Sequence, residues 1–69
     1  MTTMRTEEIT LARESLERDL ARFIDSDDQS ARNRIKGRMI DTVMEVDAVG
    51  AAEAFLIVNA MIARGSVTI

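Results

Sequence analysis

Between Ala51 and Arg64 every residue is apolar except Glu53, Asn59 and the closing arginine. The stretch lacks proline, and Gly65 stands just beyond it as a left-handed C-cap residue. A helix that is apolar nearly all round must be covered nearly all round. That demand is severe for a chain of 69 residues. Ordering it costs on the order of 100 kcal/mol, and a core this small returns little surplus. Small domains add disulfides, a metal or a second subunit. With no Cys and no His, disulfides and structural zinc are closed. What remains is a second copy or unusually close helix packing.

The rest of the chain reads as two further helices, so the expected class is all-α in one domain, residues 1–69. The first helix spans about residues 6–25. Thr6 is its candidate N-cap, with Glu7 and Glu8 in the first turn. Ile9, Ala12, Leu16, Leu20, Phe23 and Ile24 recur every three or four residues and form one apolar stripe. Ser26 followed by Gln29 makes a capping box around Asp27 and Asp28. A second helix, residues 27–46, is therefore expected after a turn short enough to set an antiparallel hairpin. It carries Ala31, Ile35, Met39, Val43 and Val46 on one stripe. Asp47-Ala48-Val49-Gly50 then reads as a break, with Asp47 capping a third helix over residues 48–64; a bend in one long helix is the alternative. Residues 1–5 and 66–69 are expected to be flexible or extended tails.

Ile40 and Met44 lie on the flank of the second helix, away from its main stripe. With helical phase carried through Gly50 they align with Ala51, Phe55, Val58 and Ile62. One apolar face then meets the first helix and the other needs a second chain. The expectation is a homodimeric helical bundle across Ile40, Met44, Ala51, Phe55, Val58 and Ile62. A monomeric three-helix bundle burying both faces is the alternative. No secretory signal is read in residues 1–5, and residues 51–63 are shorter than the roughly 20 residues a membrane span needs. The expected location is the cytoplasm.

Composition excludes much chemistry. Without His there is no Ser-His or Cys-His nucleophile and no base poised near neutrality. The three glycines form no phosphate-binding loop. Asp41 and Glu45, four residues apart, are a poor cation site without further ligands. The chain reads as a non-enzyme with no cofactor and no metal. Arg32, Arg34, Lys36 and Arg38 could form a nucleic-acid patch, and a small nucleic-acid-binding regulator is the alternative function. The charges nevertheless spread over both flanks of a helix, and Asp28 and Asp41 stand at partner spacing to Arg32 and Arg38. The net charge of −3 also opposes nucleic acid. A helix-turn-helix would need base-reading side chains on the third helix, which starts Ala51-Ala52-Glu53-Ala54. Leu11, Arg18 and Arg22 share the outer face of the first helix, and with Arg32 they are the candidate partner-binding residues. Another reading is a structural helical subunit of a larger particle.

The size, the lack of Cys and His, the helix pair with its capped turn and the apolar C-terminal helix resemble the small phage-encoded anti-activators, notably the anti-quorum-sensing kind. The resemblance implies a helical homodimer in the host cytoplasm that binds a LuxR-type transcription activator and blocks it. It also implies a second host target, the type IV pilus assembly ATPase. It carries no motif, so no residue role is transferred.

Overall fold

A computed structural model describes residues 2–68, with side chains from residue 6 onward. It contains three helices: α1 (Thr2–Asp25), α2 (Gln29–Asp47) and α3 (Ala51–Arg64). No strand occurs among the described residues.

α1 begins earlier than the sequence suggests. Residues 2–5 are helical, because neither proline nor glycine interrupts them. Thr6 is therefore inside the helix and not its cap; its carbonyl accepts a hydrogen bond from Thr10 Oγ1 at 3.0 Å. Ala12, Leu16, Leu20 and Phe23 are buried as expected of the apolar stripe. Ile24 is exposed instead, because it lies at the edge of the stripe where no neighbouring helix reaches it.

The turn after α1 is built differently from the capping box. Asp28, not Ser26, is the N-cap of α2, and its Oδ1 accepts from Ser30 N at 3.3 Å. Ser26 folds the turn itself: its hydroxyl accepts from Asp28 N and donates to Asp28 O. Gln29 reaches forward to Asn33 Oδ1 at 2.9 Å and does not return to a cap. The helix thus starts two residues later than read. Its pairing with α1 is antiparallel: Arg32 meets Phe23 near the turn, and Arg38 meets Asp19 further from it.

The break before α3 is real. Asp47 ends α2, Ala48 adopts a left-handed conformation at φ 54° and ψ 45°, and Gly50 is the extended N-cap of α3. Asp47 does not cap α3, which starts at Ala51 and not at residue 48. The axis turns by 115° between the helices. α3 consequently packs on α2 and barely touches α1. The core is the place where α2 is gripped from both sides. Met39 and Val43 lie among Leu16 and Leu20 of α1 and Ala54, Val58 and Met61 of α3. Full burial of each large side chain contributes roughly 1.5–3 kcal/mol.

The C-terminal residues are not a free tail. Gly65 is left-handed at φ 72°. Its N–H donates to Ile62 O at 3.3 Å and Met61 O at 2.8 Å, while Ser66 N donates to Met61 O at 3.2 Å. This Schellman pattern satisfies the last carbonyls of α3. It also brings Val67 onto the core, half-buried. Residue 69 of the expected tail lies outside the described residues.

The two left-handed residues give opposite expectations. Gly65→Ala meets open space but a strained left-handed backbone, so it should lower stability by about 1 kcal/mol. Ala48→Gly relieves the same strain and should raise stability by a few tenths to about 1 kcal/mol. Urea unfolding with unchanged m-values is the measurement.

Candidate functional site

The outer face of α1 carries three of the four residues expected to bind a partner. Leu11 is 66% exposed, and Arg18 and Arg22 follow at seven and eleven residues, both exposed. Those spacings keep all three on one side of the helix. Leu11 opens onto a shallow groove with Thr6, Glu7, Thr10 and Glu14. Along the helix the face therefore places Leu11 between Glu7 and Glu14 and ends in the two arginines. Arg32 is not part of it. Its guanidinium lies 4.5 Å from the centre of the Phe23 ring, partly buried in the α1–α2 seam. Phe23 faces that seam, and a planar guanidinium stacked on it gains about 0.5–1 kcal/mol.

Two other cations of the basic cluster reach across to neighbouring helices. Lys36 Nζ sits 4.4 Å over the Phe55 ring, which ties α2 to α3. Arg38 lies 3.7 Å from Asp19 Oδ1 on α1, where the sequence suggested Asp41 as its partner. Arg34 is exposed. The cluster therefore works largely as a set of intramolecular clamps.

Asp19 was overlooked in the sequence. It is only 2% exposed, and its Oδ2 has no hydrogen-bond partner. A signal existed: Asp19 falls between Leu16 and Leu20 at core spacing, an acid inside an apolar stripe. A buried carboxylate held at one oxygen, at 3.7 Å, is poorly compensated for its lost water.

The expected dimer face is dispersed. Val58 is fully buried in the core of its own chain, so it is not available to a second subunit. Ile40, Met44 and Ile62 are half-buried and packed against that core. Only Ala51 and Phe55 are exposed, Phe55 at 45% and beneath Lys36. The alignment assumed helical phase through Gly50. The left-handed Ala48 and the 115° turn abolish that phase and aim Ala54, Val58 and Met61 at α2. Leu56, on the far side of α3, is 67% exposed instead.

A second groove lies between Leu20, Ala21 and Ile24 of α1 and the Gly65-Ser66-Val67 turn. Among the described residues no three carboxylates gather as for a metal ion, and no single helix is long and apolar enough to cross a membrane. Comparison with protein-family models, with curated proteins and with solved structures finds no match.

The Asp19–Arg38 contact yields a sign prediction. Arg38→Ala strips the buried carboxylate of its cation and should cost about 1 kcal/mol. Asp19→Leu removes the buried charge and should raise the urea midpoint. In the Asp19→Leu background the Arg38→Ala change should cost almost nothing; a double-mutant cycle by urea unfolding measures the difference.

Proposed function

We propose that this protein is a small dimeric regulator that binds another protein and inhibits it by covering a surface, without catalysis. The observation that carries the reading is the outer face of α1, where Leu11 stands exposed in line with Arg18 and Arg22. An exposed aliphatic side chain beside arginines is the material of binding hot spots. α1 is otherwise anchored by Leu16, Leu20 and Phe23, so this face is presented on a rigid element and needs no ordering on contact.

The resemblance to phage-encoded anti-activators suggests which partner to try. It directs the reading to a LuxR-type quorum-sensing activator and to the type IV pilus assembly ATPase, met in the host cytoplasm. The rival nucleic-acid function has less support, because Arg32, Lys36 and Arg38 are engaged with Phe23, Phe55 and Asp19.

The test is a calorimetric titration of the protein against a LuxR-type activator and, separately, against the pilus ATPase. The Leu11→Ala plus Arg22→Ala variant should keep its helical circular dichroism and bind at least about tenfold more weakly. Undiminished affinity would reject this face. Absence of binding to both proteins would reject the partner assignment.

A further inference from the structure

We infer that α3 pairs antiparallel with α3 of a second copy through the side opposite its buried face. The inference rests on the dimeric reading above and gives it a different interface from the one expected in sequence. Ala54, Val58 and Met61 point into the core. On the reverse side lie Ala52, Leu56, Asn59 and Ala63, spaced four, three and four residues apart. Ala52, Leu56 and Ala63 are exposed and Asn59 half-exposed. Leu56, at 67%, is the most exposed of the large hydrophobic side chains described. Nothing among the described residues covers this face, because α3 meets both α2 and α1 through its Ala54, Val58 and Met61 side.

The charge pattern selects the occupant. Glu53 is in the first turn of α3 and Arg64 in the last. They are eleven positions apart and therefore project from the same flank of the reverse side. Two such helices related by a two-fold axis across their midpoints set each Glu53 against Arg64 of the second copy. Parallel pairing about a two-fold along the helices would carry the charged flank to opposite edges of the interface and leave both Glu53 and Arg64 without an opposing charge. Rim ion pairs add little affinity, but they decide orientation and partner. The same two-fold matches Ala52 with Ala63 of the second copy, so small side chains face each other at both ends. The two Leu56 side chains then lie within about one turn of each other at the centre. A second copy thus supplies the complement to both the shape and the charge of this face. A helix of 14 residues is only about 21 Å long, so the interface is at the small end and the dimer is reversible.

Sedimentation velocity on the full chain, from about 1 to several hundred micromolar, tests the pairing. The native chain should dimerise. Leu56→Arg, at an exposed position, should keep its helical circular dichroism and weaken dimerisation at least about tenfold. Glu53→Arg should weaken it several-fold, and Glu53→Arg with Arg64→Glu should restore it to within about twofold. Register is read independently in this cysteine-free chain. A mixture of Ala52→Cys and Ala63→Cys chains should cross-link with a short bis-maleimide, and Ala52→Cys alone should not. If Leu56→Arg loses helix, this cross-linking decides. A native dimer indifferent to Leu56→Arg, or one that cross-links through Ala52→Cys alone, overturns this interface and leaves the dimeric reading standing. A native chain monomeric throughout overturns both, and partner binding by α1 is then judged on its own titration.

Discussion

The fold depends on α2 being used from both sides. Met39 and Val43 are fully buried because Leu16 and Leu20 cover them from one direction and Ala54, Val58 and Met61 from another. α1 and α3 scarcely touch, so they are held together through this middle helix. Removing either outer helix would expose the other's half of the core. Such mutual dependence makes cooperative, all-or-none folding the natural outcome in so short a chain. It also explains the polar chemistry of α2. The helix keeps Asn33, Gly37, Asp41 and Glu45 in solvent, while Arg32 and Lys36 on its flanks are half-buried against Phe23 and Phe55 and Arg38 reaches Asp19 from an exposed position.

The unsatisfied groups also sit in the seam between α1 and α2. Asp19 Oδ2 and Arg32 Nε are buried without hydrogen-bond partners. Neither contributes to stability as an apolar residue of similar volume would. Their value lies in register. Sliding α1 along α2 by one turn would separate Asp19 from Arg38 and Phe23 from Arg32 at once, whereas leucine would tolerate the slip. Polar and cation–π contacts thus supply a positional preference that a uniformly apolar seam lacks.

Much of this was legible in the sequence, for identifiable reasons. The stripe Ala12, Leu16, Leu20 and Phe23 follows helical periodicity without interruption, and its burial needed no tertiary information. The existence of the break at residues 48–50 was readable from Gly50. Its geometry was not, because the decisive left-handed residue is an alanine, a type that announces no turn. With that turn unforeseen, helical phase was carried from α2 into α3, and Val58 was assigned to an intermolecular face that it does not occupy. The cap of α2 was misplaced by two residues because Ser26 and Asp28 are both good capping types and the choice between them is made by the turn geometry. On the candidate surface, Leu11, Arg18 and Arg22 were placed by periodicity alone. Arg32 was lost from it because cation–π stacking across the seam is a tertiary contact that spacing does not encode.

The separation of the two exposed faces bears on how such a small chain could act. The α1 face with Leu11 and the α3 face with Leu56 belong to different helices, each turned away from the shared core. Self-association through one would leave the other uncovered. A pair of chains joined at α3 would then present two α1 faces at a fixed separation, and a dimeric target could engage both. The second contact would be made within an existing complex, at an effective concentration far above that of the free protein. Two individually weak contacts, each limited by the little surface that a chain of 69 residues can offer, would thereby combine into stable occupancy. If the protein acts as proposed, the apolar surplus of α3 and the exposed leucine of α1 would serve one end, since pairing through the first would double the second.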